Sequence, residues 1–351
     1  MALFSHPEFD HHETVSWCHD AETGLRAIIA VHNTNLGQGL GGCRMWPYRS
    51  EAEALTDVLR LSRGMTYKAA LAGLPQGGGK SVIIGDPRRD KTPELMRAMG
   101  RAVNRLGGAY VVAEDSGTSV ADIRLMAEQT AHVGGLADAA SVAAGRTGDP
   151  SPATAYGTFI GLKAAVRHAL QRDALKGLKV AIQGLGNVGS RLARHLHEAG
   201  AELWVTDLYA PAVERCVAEL GAHAVPMDEI HKLDVDVFAP CALGAVLNDT
   251  TIAELRARVV AGAANNQLAV ADVHGEALRA RGILYAPDYC INAGGIIDIY
   301  YEGPGYDWAT VEAHLQRIGT TLTEIFERAD REGLPTYRVA DRMAEEIFRK
   351  R

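Results

Sequence analysis

The chain lacks most of the features that mark secreted, membrane or nucleic-acid-binding proteins. Cysteine is scarce: Cys18, Cys43, Cys216, Cys241 and Cys290 are odd in number, and the closest pairs lie 25 positions apart. That spacing excludes a disulfide framework and fits no zinc-ligand pattern, so the thiols are expected to be apolar fillers in a reducing compartment. No uninterrupted apolar run approaches the ~18 residues of a membrane-spanning helix. The first twelve residues carry acids and histidines but no apolar signal core, so the expected location is cytoplasmic. Positive charge is also wanting. With 36 Lys and Arg against 43 Asp and Glu the net charge is -7, which gives no electrostatic footprint for nucleic acid or an anionic membrane. His6, His11 and His12 lack a completing ligand set and are expected to form a solvated terminus, with no metal site.

What is present is the material of a large globular protein. The 351 residues, 47% of them hydrophobic, suit two domains with real cores. No internal repeat or low-complexity tract interrupts them. The clearest composition shift is residues 134–152, rich in Gly, Ala, Ser, Asp and Pro, which reads as a hinge. The expected partition is residues 1–134, a hinge at 135–152, residues 153–330, and a C-terminal helical segment at 331–351.

Upstream of the hinge, residues 26–32 (RAIIAVH) form a β-type run. Ser50 and Glu53 have the spacing of a capping box ahead of Leu55, Val58 and Leu59 at helical intervals. Residues 81–84 read as a short strand. Thr92 and Pro93 open a helix closed by Gly107, and residues 110–113 form a strand that runs into Glu114 and Asp115. Downstream, strands expected at 179–183, 202–206, 235–239, 259–261 and 283–285 alternate with helical segments, the pattern of a doubly wound parallel sheet. Residues 308–351 read as helical and amphipathic.

Within that alternation, the strand at 179–183 leads directly into GLGNVG at 184–189 and then a helical stretch. Gly184 would make the tight turn, Gly186 would admit a pyrophosphate, and Gly189 would pack helix on strand. Asn187 and Val188 would offer helix N-terminal amides to the phosphates. Eighteen residues beyond Gly189, the next strand ends at Asp207, suited to the ribose hydroxyls of NAD, with no cation beside it for a 2′-phosphate.

A second candidate site combines GMTYK at 64–68 with GGGKS at 77–81. The latter fails as a P-loop, because the glycine that motif requires five positions before Gly79 is Leu74. Successive glycines instead let backbone approach a ligand. Two lysines, Lys68 and Lys80, lie twelve residues apart. One can pair with a substrate carboxylate. The other, crowded by its neighbour's charge, can serve as a general base, with Asp115 as a third titrating group.

At these residues the chain resembles the glutamate/leucine/phenylalanine/valine dehydrogenase family, most closely its leucine branch, over nearly its whole length. The matching runs are LGGCRM at 40–45, GMTYK at 64–68, GGGKSVIIGDP at 77–87, AEDSGT at 113–118 and PSPATAYG at 150–157. They continue with GLGNVG at 184–189, PCALGA at 240–245, GAANN at 262–266 and APDYCINAGG at 286–295. The resemblance implies an N-terminal mixed-sheet α/β substrate domain, a Rossmann NAD-binding domain, an active-site cleft between them, and a homo-oligomer built through the first domain. It implies that Lys68 binds the substrate carboxylate, that Lys80 activates water, and that Asp115 shuttles protons at the substrate nitrogen. Thr154 and one of Asn265 and Asn266 would hold nicotinamide carboxamide and ribose, and Pro240, Cys241 and Ala242 would line the adenosine side. Leu40, where glutamate enzymes of the family carry a lysine, lies with Gly41 and Ala113 in an uncharged side-chain pocket that Ile296 or Ile297 would close.

The implied reaction is NAD-dependent oxidative deamination of an apolar L-amino acid to a 2-oxo acid and ammonium. Phenylalanine is the alternative substrate, and a catalytically silent NAD-binding regulator the alternative function. The chain departs from the family's pattern at 142–149 and in the aromatic pair Tyr300 and Tyr301.

Overall fold

Side-chain alternation builds the first sheet. In a strand, successive residues face opposite sides, and the run Leu25–Asn33 (β2) buries both. Ile28 and Ala30 pack with Val82 against Leu55, Val58 and Leu59, while Ala27, Ile29 and Val31 pack with Ile83 against Leu95, Met96 and Met99. One face is therefore covered by helix α1 (Glu51–Leu71) and the other by α2 (Pro93–Asn104). The remaining strands are β1 (Thr14–Asp20), β3 (Gly39–Trp46), β4 (Gly77–Ile84) and β5 (Tyr110–Glu114), in the order β1-β2-β4-β3-β5. β1/β2 and β2/β4 are antiparallel, β4/β3 and β3/β5 parallel, so the sheet is mixed.

These observations come from a computed structural model that describes residues 3–136, 149–242, 244–303 and 305–349. The chain divides into two compact units. The first comprises Met1–Asp149, Ile299–Tyr306 and Ala344–Arg351, the second Pro150–Asp298 and Asp307–Met343.

The caps follow the sequence closely. Ser50 accepts from the Glu53 amide, although the Glu53 carboxylate accepts from Arg49, so only half of the capping box forms. Thr92 accepts from the Leu95 amide, with Pro93 in the first turn. The glycine run differs from expectation. β4 begins at Gly77, four residues before the strand expected from 81, and its glycines make room for the protein itself. A Cβ on Gly78 would lie 2.1 Å from the Thr66 nitrogen, and one on Gly41 would lie 1.7 Å from the Gly79 carbonyl oxygen. The N-terminal histidines also differ: His12 is buried, and its Nε2 donates to the Leu59 carbonyl at 3.0 Å.

The second unit carries a six-stranded, wholly parallel sheet ordered β11-β10-β9-β6-β7-β8. Its strands are β6 (Lys179–Gln183), β7 (Glu202–Thr206), β8 (His223–Ala224), β9 (Val237–Pro240), β10 (Val259–Val260) and β11 (Leu284–Tyr285). Strand order reverses between β6 and β9, the switch point where open α/β sheets take ligands at the carboxyl ends of their strands. Helix Ser151–Leu170 starts inside the expected hinge, so Ser151 and Pro152 are helical, while residues 137–148 lie outside the described residues. The terminal helical stretch is two helices, Trp308–Glu332 and Thr336–Phe348. Gly333 at φ +66° ends the first, and Pro335 precedes the second. Among the described residues, no helix is long and apolar enough to cross a membrane.

Candidate active site and dinucleotide turn

In the first unit, strand register collects the charged groups. β3 pairs Leu40 with Gly78 and Cys43 with Ser81 on one side, and Gly42 with Ala113 on the other. Lys80, Gly42 and Ala113 thus lie level and face the same side. With no side chain at Gly42, the Lys80 ammonium crosses β3 and ion-pairs with Asp115 Oδ2. A Cβ on Gly42 would come 2.7 Å from the Asp115 Cβ and close that path. Lys80 is itself buried. Arg44, two residues along β3 from Gly42, places Nε 3.6 Å from the same Asp115 oxygen and donates through Nη1 to Asp57 at 2.9 Å. Tyr48 donates to Asp57 at 2.6 Å.

The turn after β5 fixes the Asp115 carboxylate. Its Oδ1 accepts from the Ser116 amide at 2.6 Å. Thr118 Oγ1 accepts from the Asp115 amide at 3.0 Å and donates to the Cys43 carbonyl at 2.8 Å. Burial alone would raise the Asp115 pKa. The charges of Lys80 and Arg44 more than reverse this and hold it well below the ordinary carboxylate value. Lys68 lies in the last turn of α1, half-buried. Leu40 and Ala113 are buried, and small residues surround them. A Cβ on Gly134 would touch Ile299 at 3.4 Å and Leu40 at 3.5 Å, and one on Gly135 would reach Ala113 at 4.0 Å. The Gly135 amide donates to Glu302 at 2.6 Å. Within the first unit, Ile299 is the isoleucine beside Leu40. Ile296 and Ile297 are buried in the second unit.

In the second unit the glycine turn is made by backbone. Gly184 takes φ +103°, and a Cβ there would lie 2.7 Å from that of Ala242. This places the loop after β9, with Cys241 and Ala242, against the loop after β6. A Cβ on Gly189 would lie 2.0 Å from the Gly184 oxygen, so the helix Asn187–Glu198, which includes Val188, packs directly on the turn. Gly186 has no atom within 4 Å of its Cβ position, which leaves room for a ligand to approach the helix N-terminus. Asp207 accepts from the Leu185 amide at 2.6 Å and the Tyr209 amide at 2.7 Å. A carboxylate has about four acceptor positions, so capacity remains for ribose hydroxyls. The donor set fits a dinucleotide.

The two asparagines differ. Asn265 Oδ1 accepts from Nδ2 of the buried Asn292 at 2.7 Å, whereas Asn266 sits at φ +51° and uses its carbonyl to accept from Ala245 at 2.7 Å. Thr154 donates to the Pro150 carbonyl at 2.9 Å, and a Cβ on Gly295 would lie 2.8 Å from its hydroxyl. Arg44, Asp57, Tyr48, Thr118 and Asn292 had no assigned role in the sequence reading. Arg44, Thr118 and Asn292 lie in the runs that carry the family resemblance, but only register and burial reveal their partners. The thiols are free, and burial pushes Cys43 up to about 12 and Cys241 to about 11, values that suit fillers. Among the described residues, no group of His, Cys, Asp and Glu is arranged to hold a metal.

A cavity of about 370 Å³ lies at the opposite, amino-terminal end of this sheet, beside Arg258 and Ile283. Its polar groups are already engaged: Arg258 caps the Ala169 carbonyl at 3.0 Å, and Asp330 pairs with His168 at 2.9 Å.

Comparison with known proteins agrees with this arrangement. Residues 11–132 match the Glu/Leu/Phe/Val dehydrogenase dimerisation domain, and residues 145–207 and 210–339 match the Glutamate/Leucine/Phenylalanine/Valine dehydrogenase domain. A leucine dehydrogenase of Geobacillus stearothermophilus is 51% identical over 99% of this chain and 93% of its own length. A phenylalanine dehydrogenase of Caldalkalibacillus thermarum is 45% identical, over 100% and 95%. The crystal structure of L-tryptophan dehydrogenase from Nostoc punctiforme superposes with a TM-score of 0.83 at 45% identity, over 97% of this chain and 96% of that one. The chain belongs to the glutamate/leucine/phenylalanine/valine dehydrogenase family and is an amino-acid dehydrogenase.

Proposed function

We propose that the protein carries out NAD-dependent, reversible oxidative deamination of apolar L-amino acids, with leucine, valine and isoleucine preferred. The buried Lys80–Asp115 pair, braced by Arg44, is the observation that carries this reading. Lys68 binds the substrate carboxylate. Asp115, held ionised, accepts a proton from the substrate ammonium, and so exposes the nitrogen lone pair that assists loss of the α-hydrogen. When bound, NAD⁺ supplies the acceptor for the α-hydride. Lys80, once it has given up its ammonium proton to solvent, takes a proton from the water that attacks the imine carbon. Asp115 then returns a proton to nitrogen, and the carbinolamine collapses to the 2-oxo acid and ammonium.

NAD rather than NADP follows from Asp207, whose charge favours ribose hydroxyls and repels a 2′-phosphate. Because Asn292 orients the Asn265 amide, Asn265 is the asparagine assigned to the nicotinamide and substrate side, with Asn266 shaping the turn. Thr154, Cys241 and Ala242 complete the cofactor contacts. The assembly is a homo-oligomer formed through the first unit and located in the cytoplasm.

Leu40, Ala113 and Ile299 offer no cation to a second carboxylate, and an unpaired buried charge is costly, which disfavours glutamate. A second reading, an aromatic substrate, draws on the space left by Gly134 and Gly135 and on the phenylalanine and tryptophan dehydrogenases among the relatives. Comparing kcat/KM for NADH formation with L-leucine, L-valine, L-phenylalanine, L-tryptophan and L-glutamate tests both. Leucine or valine is expected to lead. An aromatic leader selects the second reading, and a glutamate leader refutes the pocket argument.

A further inference from the structure

Beneath the turn of α1 that carries Lys68 lies a polar line with no assigned role. Thr66, two residues before Lys68, is fully buried near the C-terminal end of the helix. His32 Nδ1 is 2.8 Å from the Thr66 hydroxyl, and His32 Nε2 is 3.5 Å from the Asp10 carboxylate. The carboxylate facing Nε2 places the proton on that nitrogen, so in the neutral ring Nδ1 accepts from the threonine. His32 sits at a β-bulge: the β2/β4 register passes from Val31↔Gly79 to Asn33↔Gly78, so His32 and Asn33 together span the one position Gly78.

Gly78 closes the other side of the same seat. A Cβ there would lie 2.1 Å from the Thr66 nitrogen and 2.2 Å from its hydroxyl oxygen, so strand and helix backbones touch without clearance. Lys80 is two residues further along β4 on the face that Gly78 shares, about 7 Å away along the strand. The aromatic neighbours leave the seat little freedom. His12 packs edge-on to His32 at 4.9 Å, and His32, Tyr67 and Phe348 form a triangle of rings at 5.3 to 6.2 Å. A buried hydroxyl on a helix must find a partner or lose stability, and here that partner is an imidazole tied to a carboxylate.

We propose that Asp10, His32 and Thr66 are positioning residues for the substrate carboxylate: their hydrogen-bonded line fixes the α1 turn bearing Lys68 at a set height over the strand bearing Lys80. The inference rests on the assignment of Lys68 as the carboxylate ligand. If the line positions Lys68, its loss weakens amino-acid binding selectively. If it serves only the fold, its loss lowers thermal stability and leaves the amino-acid KM alone.

Steady-state kinetics of the full-length chain separate the two. Thr66→Val, which keeps shape and removes the hydroxyl, is expected to raise the amino-acid KM roughly three- to tenfold. The NAD⁺ KM should be unchanged and kcat should stay within about twofold, while Thr66→Ser returns the amino-acid KM to near the parent value. Asp10→Asn, at the half-exposed end of the line, gives the same readout with a smaller rise and serves where Thr66→Val folds poorly. A Thr66→Val enzyme with parental amino-acid KM, or Val and Ser variants equally impaired, overturns the inference. Lys68→Ala is measured alongside. If it raises KM while Thr66→Val does not, this inference alone fails; if it leaves KM unchanged, the Lys68 assignment fails and takes the inference with it.

Discussion

The catalytic candidates of the first unit and the glycine turn of the second are built in opposite ways. In the second unit the turn is backbone: Gly184 bends, Gly189 packs, and Asp207 holds the Leu185 amide. The contacts that shape it come from neighbours close in sequence, the end of the next strand and the adjoining Cys241–Ala242 loop. In the first unit the site is side chains delivered by three strands. Lys80 from β4, Arg44 from β3 and Asp115 from the end of β5 meet because register sets them side by side and Gly42 leaves the path open. A binding surface for phosphates can be written in a short run of sequence. A buried cluster of opposed charges needs long-range geometry.

That difference governs how much the sequence disclosed. The expected strands at 179–183 and 202–206 coincide with β6 and β7, because uninterrupted apolar runs bounded by turn residues leave little choice. The two-unit α/β class and the family were legible for the same reason, from runs spread along the whole chain. β3 was not. Its sequence GLGGCRMW carries three glycines, poor strand formers whose presence is explained only by neighbours that a Cβ would strike. The pairing of Arg44 with Asp115 and the support of Asn265 by Asn292 likewise depend on folded distances. His12 looked like part of a solvated terminus because burial by a helix 47 positions away has no local signature. The break at Gly333–Pro335 was visible as a glycine and a proline, but the amphipathic pattern continues across it.

Four perturbations would break or sharpen the contrast. The largest effect is expected at the charged pair. Lys80→Ala and Asp115→Asn should each lower kcat by about 10²–10⁴ in an NADH-formation assay, the usual contribution of positioned acid–base groups. Turnover near the parental rate in either variant would remove the pair from the chemistry.

Next is the buried His12, whose burial brings its pKa down from 6.5 to about 4. The unfolded chain therefore binds a proton that the folded chain refuses between those values. Stability from this residue is complete above pH 6.5 and is lost as pH falls towards 4, by something on the order of 3 kcal/mol. Urea unfolding of the parent and His12→Gln across pH 7 to 4 measures it. The variant should show a shallower fall, and parallel curves would contradict the assignment.

Asp207→Ala is expected to weaken NAD⁺ binding by ~1.5–3 kcal/mol, the value of a hydrogen bond to a charged group. Since the same carboxylate holds the Leu185 amide, Asp207→Asn should fall between parent and alanine. Equal turnover of the parent with NADP⁺ would defeat the cofactor reading. The smallest effect is expected from Arg44→Gln, which removes one of the two cations holding Asp115 ionised. The Asp115 pKa should rise towards the ordinary carboxylate value, so the acid limb of the kcat/KM profile should move to higher pH. An unmoved limb would make Arg44 a purely structural partner of Asp57.

The division of labour between the units is tested most directly by titrating NADH into the Lys80→Ala protein and following cofactor fluorescence. If chemistry resides in the side-chain cluster and dinucleotide binding in the backbone turn, the dissociation constant should match the parent's within about twofold, in a variant that has lost nearly all turnover. A tenfold or larger weakening of NADH binding would contradict the account.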